Sequence, residues 1–364
     1  MTPLAQILRE TITRTGPISI AEFMAEALSH PEHGYYRTRD PFGRSGDFIT
    51  APEISQMFGE LIGLWCVECW IRLGEPAPVA LVELGPGRGT LMADALRAAR
   101  VRPSFLEAVE VHLVETSPRL RARQKDALAL CHPTWHERVE ELPQRPTLLI
   151  ANEFFDALPI RQFERTATGW RERLVANDPQ SAAFITVTAD LPPDPSLPLP
   201  DPARAPPGAV VELAPLAERI TTSIAGRIAA SPGAALIIDY GYAIEDEGRS
   251  AWNDTLQAVR GHGYVSPLAD PGEADITAHV DFAALARAAR GAGAAVHGPV
   301  SQGRFLETLG IGQRAMRLAS SASPSAAADV TLALHRLTAP SAMGRLFQVL
   351  AISHPAMGTP SGFA

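Results

Sequence analysis

Apolar residues recur at helical spacing in three places before residue 75. Leu4, Ile7, Leu8 and Ile12 predict a helix over 2–14. Ser19 and Glu22 have the spacing of a capping box, ahead of a stripe formed by Ile20, Phe23, Met24 and Leu28. Thr50 and Glu53 repeat that spacing with Pro52 between them. Ile54, Met57, Phe58, Leu61, Ile62 and Trp65 then continue as one amphipathic helix. Residues 33–50 carry turn residues and the aromatic side chains Tyr35, Tyr36, Phe42 and Phe48, a combination that predicts an ordered loop rather than a linker.

From about residue 76 the period changes. Short apolar runs at 79–84, 109–115, 147–152 and 234–239 read as buried strands, with helices running to Arg100 and over 118–130. Strands alternating with helices predict a parallel sheet covered on both faces. The rhythm breaks over 158–210. Residues 161–175 read as a hairpin around Thr168-Gly169, and 192–207 hold eight prolines, which predict an exposed polyproline-like connection. This block is read as an insertion. The tail predicts a helix over 281–290, with Asp281 as its N-cap, and strands near 294–297 and 346–352. The expected division is therefore 1–75, N-terminal helices and a covering loop, and 76–364, a core carrying the insertion.

Length and composition narrow the function classes. A chain of 364 residues suits two domains, or one domain with large insertions. A formal net charge of −8 argues against coating nucleic acid by bulk electrostatics. No apolar run reaches the roughly 18–20 residues that span a bilayer. Three cysteines, Cys66, Cys69 and Cys131, cannot build a disulfide framework, so a cytoplasmic, unprocessed protein is expected. No metal site is expected either. Cys66 and Cys69 fall within the predicted helix, and Cys131, His132 and His136 have no second ligand cluster.

The chemistry concentrates after two strands. Glu83-Leu84-Gly85-Pro86-Gly87-Arg88-Gly89-Thr90 sits between a predicted strand and a predicted helix, where glycines permit a tight turn and close approach of a ligand to bare backbone. A phosphate loop would need Gly-Lys-Ser/Thr, and a dinucleotide fingerprint would read GxGxxG; this cluster is neither. An acid just before the turn suits a ligand with an ammonium group and no phosphate, as in S-adenosylmethionine. Glu115, at the end of the next strand, is placed to accept ribose hydroxyls. The plain alternative is a glycine-rich turn that binds nothing. After the strand 147–152, Asn152 is a candidate for the cofactor's amino-acid part, and Glu153 and Asp156 for a cationic substrate; a capped helix start would explain the same residues. Asp47 and Glu53 are second candidates from the N-terminal loop, which we expect to lie over the cofactor as a lid. A turn at Ser45-Gly46-Asp47 and the Thr50/Glu53 capping box explain them without function.

Taken together, GYYRTRDPFGRSGDFITAPEISQMFGELIGLW, ELGPGRGT, HLVETSPRLRARQ, ANEFFDALP, IIDYGY and DITAHVDF resemble the bacterial and mitochondrial family once called domain of unknown function 185. The resemblance spans about 17–352. It implies a Rossmann-like class I methyltransferase fold, with a seven-stranded mostly parallel sheet, an N-terminal helical extension and an inserted β-containing subdomain. It also implies S-adenosyl-L-methionine as cofactor and symmetric dimethylation of a protein arginine on a respiratory complex I subunit. Gly85, Gly87 and Gly89 match the cofactor loop, Glu115 the ribose acid, and 152–156 the motif after the fourth strand; Thr90, beside the last glycine, is a further cofactor-binding candidate. A small-molecule methyltransferase, or a noncatalytic complex I assembly factor that retains the cofactor site, are the alternatives.

Overall fold

In a computed structural model of the chain, residues 1–39, 50–243, 252 and 254–363 are described. The chain divides into two compact units. One holds Met1–Phe48, Asp156–Ala217 and Ile244–His279, and the other Ile49–Phe155, Glu218–Ala243 and Val280–Ala364. The expected division at 75/76 places residues differently, since 49–75 group with the sheet and 1–48 with the insertion.

The sheet unit contains, in chain order, α1 (Ala51–Ile54), α2 (Gln56–Arg72), β1 (Val79–Leu84), α3 (Thr90–Ala98), β2 (Val109–Val114), α4 (Pro118–Ala127), β3 (Thr134–His136), β4 (Thr147–Asn152), α5 (Pro215–Ala230), β5 (Gly233–Tyr242), α6 (Phe282–Gly291), β6 (Ala295–Ser301) and β7 (Phe347–Ser353). The strand order is β6-β7-β5-β4-β1-β2-β3, with the short strand Val280–Asp281 added beside β5. Strands β3, β2, β1, β4 and β5 are parallel, and β7 runs antiparallel to both of its neighbours. This is the expected Rossmann-like sheet. Every residue of β1 and β4 is buried, as a strand covered on both faces requires. The apolar runs in the sequence are continuous there for the same reason.

One helix of the predicted N-terminal set is modified. A single helix over 50–65 is replaced by α1 and α2, separated by Ser55 in extended conformation (φ −162°). Ser55 caps α2 by accepting the Met57 N–H at 3.2 Å. Trp65, Cys66, Cys69 and Trp70 on α2 are buried in the core with Leu81, Ile150 and Leu236. The two cysteines are therefore core residues. Helix α2 meets α3 almost backbone to backbone. A Cβ at Gly63 would lie 2.4 Å from the Ala95 carbonyl oxygen, and one at Gly59 2.7 Å from the Asp94 Cβ. Those two glycines let α2 press onto the helix that leaves the glycine cluster.

In the other unit, Leu4, Leu8 and Ile12 of the helix Pro3–Thr15 pack with Phe23, Met24, Tyr35, Val175 and Ile276. The Ser19/Glu22 capping box forms as expected. The hairpin Arg161–Thr166/Gly169–Asn177 belongs to a five-stranded sheet. The proline-rich connection is less free than expected. Trp170 donates its indole N–H to the Pro200 carbonyl at 2.7 Å, and Leu197 and Leu199 pack near Phe163. Apolar residues spaced between the prolines, a signal absent from a simple linker, turn it onto the sheet.

The α2–α3 crossing yields a stability test. Gly63→Ala is expected to lower stability by about 1–3 kcal/mol in urea denaturation, because its methyl group must displace backbone rather than a flexible side chain. Gly226→Ala, on α5 with nothing within 4 Å of the added carbon, is expected to be neutral or slightly stabilising. Equal midpoints for Gly63→Ala and the parent protein would refute the close crossing.

Candidate active site

The turn after β1 is built on left-handed backbone. Gly85, Gly87 and Gly89 have φ of +58°, +52° and +82°, a region that costs side-chain-bearing residues energy. Gly89 is the N-cap of α3. The Gly85 N–H donates to the Val114 carbonyl at 3.0 Å, tying the turn to the end of β2. The amide groups of the first turn of α3 thus converge on the carboxyl edge of the sheet, where open α/β folds bind ligands.

Four acids brace or border this turn, each differently. Glu83 is buried, and burial pushes its carboxyl up to about 8 despite a hydrogen bond from the Met92 backbone N–H. Its Oε2 has no hydrogen-bond partner among the described residues. Glu115 is also buried. Its Oε1 accepts the Ser117 N–H at 2.7 Å and its Oε2 the Gln124 side-chain amide at 3.2 Å. Burial raises its carboxyl above the ordinary value, and these hydrogen bonds oppose that shift. Glu53 was expected to close a capping box with Thr50, and it does not. Thr50 makes no side-chain cap bond. Glu53 turns instead to the glycine turn, where its Oε1 accepts the Thr90 hydroxyl at 2.7 Å and its Oε2 lies 3.9 Å from Arg88 Nη1. The donors at the start of α3 outcompete the backbone of its own four-residue helix.

Glu153 follows β4 with φ +50°, an unusual conformation for a non-glycine residue and one that clusters at functional sites. Its Oε1 accepts the Ala51 N–H at 2.9 Å and the Asn152 side-chain amide at 3.2 Å. Asn152 Oδ1 is buried without a hydrogen-bond partner among the described residues. Asp239, at the end of β5, is fully buried and accepts the Phe155 N–H at 3.0 Å and its neighbour Tyr240's N–H at 2.9 Å. It fixes the turn that presents Glu153.

The remaining expected residues are distributed as follows. Asp156 belongs to the other compact unit, where its carbonyl accepts the Ala278 N–H and its charge, with that of Asp275, adds to burial in raising the Tyr36 phenol. The Tyr36 hydroxyl donates to Asp275 at 2.8 Å, and Tyr35 is a core residue. Asp47, and with it residues 40–49 of the expected lid, lies outside the described residues. Gln124, Trp135 and Asp275 were missed by sequence reasoning. Gln124 is fully buried on a helix whose sequence, PRLRARQKDA, reads as a polar surface helix, so no pattern singled it out.

The donor set fits a cationic, phosphate-free ligand. Among the described residues two buried acceptor oxygens, on Glu83 and Asn152, have no hydrogen-bond partner at the ends of the neighbouring strands β1 and β4, and no lysine stands in the glycine turn. Among the described residues no group of three or more His, Cys, Asp or Glu side chains is arranged to hold a metal ion. Comparison with known proteins agrees. Residues 61–300 match the family described as "Putative S-adenosyl-L-methionine-dependent methyltransferase". The chain is 38% identical to "Protein arginine methyltransferase NDUFAF7, mitochondrial" of Danio rerio, covering 96% of this chain and 86% of that protein. It is 37% identical to the Homo sapiens protein of the same name, covering 97% and 83%. A crystal structure of a Burkholderia thailandensis protein bound to S-adenosyl-homocysteine superposes with a TM-score of 0.84 at 30% identity, covering 99% of this chain and 93% of that one. The expected cytoplasmic localisation is overturned by the names of the curated relatives, which are mitochondrial. A low cysteine count excludes a disulfide framework but does not select among compartments without one.

Two outcomes are expected from this geometry. Gly87→Val places a branched side chain at φ +52°, and calorimetric titration should find no binding of S-adenosylhomocysteine; an unchanged affinity would refute the assignment of the turn. Glu83 makes stability depend on pH. Its folded value of about 8 exceeds the ordinary 4.5, so the native state holds a proton that the unfolded chain releases. The contribution is full below about pH 4.5 and is lost as pH rises through about 8. Melting temperatures of the unliganded protein should show this decline, and Glu83→Gln should flatten it; a parallel decline in the variant would remove Glu83 as the source.

Proposed function

The chain belongs to the S-adenosyl-L-methionine-dependent methyltransferase family, and from that premise we propose that it methylates an arginine side chain of a protein substrate. What carries this reading is similarity over nearly the whole chain to proteins named protein arginine methyltransferases, joined to a carboxylate, Glu153, held in strained backbone beside the glycine turn. We place the acceptor arginine on a respiratory complex I subunit, as the sequence resemblance implies.

The cofactor supplies an electrophilic methyl group on a sulfonium; the acceptor nitrogen takes the methyl carbon, the carbon–sulfur bond breaks onto sulfur, and the nitrogen loses a proton. The protein's task is alignment of the reacting atoms. The backbone of Gly85, Gly87 and Gly89 and the hydroxyl of Thr90 form the floor of the cofactor site. Glu115 would hold the ribose hydroxyls, and the buried Oε2 of Glu83 and Oδ1 of Asn152 would hold the ammonium end. A guanidinium stays charged at every working pH and spreads that charge over three nitrogens. A carboxylate gripping two of them localises the charge and leaves the third to react. Glu153 is our residue for this grip, because the Ala51 N–H fixes its carboxylate. Asp156, which belongs to the other compact unit, is a substrate-side candidate from its sequence position alone. Glu53, engaged with Thr90 and Arg88, braces the turn rather than gripping the substrate.

Glu153→Gln keeps an oxygen for the Ala51 N–H but removes the charge. It should bind S-adenosylhomocysteine normally and lose about a hundredfold in turnover. The substrate class is tested by incubating the protein and methyl-labelled cofactor with a mitochondrial extract, then locating the label by mass spectrometry. Label on an arginine of a complex I subunit is the expected result. Label confined to a small molecule, or retained cofactor binding with no transfer to any component, would overturn the proposal.

A further inference from the structure

Gln124 joins the two halves of the cofactor cradle through one amide. It has no exposed surface, and both ends of its side chain are used. Its Nε2 donates to the Gly87 carbonyl at 2.8 Å and to Glu115 Oε2 at 3.2 Å, while its Oε1 accepts the Trp135 indole N–H at 2.8 Å. Two acceptors on one side and an obligate donor on the other admit only one orientation of the amide. The turn also rests on the same helix: a Cβ at Gly89 would lie 3.6 Å from the Gln124 Cα and 3.5 Å from the Leu128 side chain.

We propose that Gln124 is a positioning residue for the cofactor, holding the Gly87 carbonyl against the Glu115 carboxylate, with Trp135 setting the direction of its amide. The residue need not touch the ligand. It removes a degree of freedom that binding would otherwise have to remove: the Gly85 N–H ties only the start of the turn to β2, and Gln124 adds a link from Gly87 to the Glu115 carboxylate. It also keeps a donor on a buried acid whose desolvation opposes ionisation. Its main-chain surroundings reinforce this. Arg121 donates to the Glu115 carbonyl at 2.7 Å, and the Glu115 N–H reaches the His136 carbonyl at 3.0 Å, so the backbone of Glu115 is fixed separately and Gln124 acts on the carboxylate.

The inference rests on Gly87 and Glu115 flanking the cofactor, and does not depend on which substrate is methylated. The test is calorimetric titration of the full chain with S-adenosylhomocysteine. Gln124→Leu should bind about tenfold more weakly, within the range of coupling seen for contacting groups. Its KM for the cofactor should rise while turnover at saturation stays within about twofold. Trp135→Phe keeps an aromatic side chain but removes the N–H that orients the amide; it should show a smaller loss of the same kind, and serves if Gln124→Leu does not fold. In a Glu115→Gln background, Gln124→Leu should add little further loss. Parent-like affinity in both Gln124→Leu and Trp135→Phe overturns the proposal, as does a full tenfold loss that persists without the Glu115 carboxylate. If Glu115→Gln itself binds as tightly as the parent, the ribose assignment fails instead, and the two failures are separable.

Discussion

Three left-handed residues within five positions set the geometry on which the rest of this site depends. A backbone turning through positive φ at Gly85, Gly87 and Gly89 leaves β1 and enters α3 without side chains in the way. Such a turn is inherently loose, because glycine loses more freedom on ordering than any other residue. The protein answers with attachments from several elements. The Gly85 N–H is tied to β2, Gly87's carbonyl to Gln124, and the Thr90 hydroxyl to Glu53. A side chain at Gly85 would meet the Phe154 ring at 3.0 Å, so the residue after Glu153 also bounds the turn. The close crossing at Gly59 and Gly63 seats α3 from the outer side. Glycine thus works in two ways: as left-handed backbone at the cradle, and as absent bulk between the helices.

The second constraint is electrostatic. Glu83 and Glu115 are buried near the ends of adjacent strands, and desolvation raises both. Buried carboxyl groups are costly to ionise and suit a site that binds a cation. A ligand carrying an ammonium and a sulfonium relieves part of that cost. Asp239, fully buried, accepts two backbone N–H groups. Its role is to hold the turn that places Glu153 in strained backbone, so one acid positions another.

Much of this was legible in the residues. The continuous apolar runs at 79–84 and 147–152 announced strands buried on both faces, and the glycine cluster with Glu83 and Glu115 announced a phosphate-free ligand. The capping box at Ser19/Glu22 formed, whereas its twin at Thr50/Glu53 did not. The difference is competition. Glu22 has its own backbone as the nearest donor, but Glu53 meets Thr90 and Arg88 from a distant stretch of chain. Asp156 illustrates the same limit. Three residues after Glu153 it reads as that residue's partner, yet it groups with the other compact unit beside Tyr36.

What the residues determined alone was therefore the local part. Strand, turn and helix, the need for glycine at three positions, and the chemical class of the ligand all follow from period, steric freedom and charge, which act between near neighbours. What tertiary structure decided was which donors each acid meets and which polar side chains become buried. Gln124 is polar, sits in a polar helix and has no local reason to matter. It becomes a link in the site only because folding brings Gly87, Glu115 and Trp135 to its three hydrogen-bonding positions. Hydrogen bonds of that kind are short-ranged and directional, so no spacing along the chain encodes them.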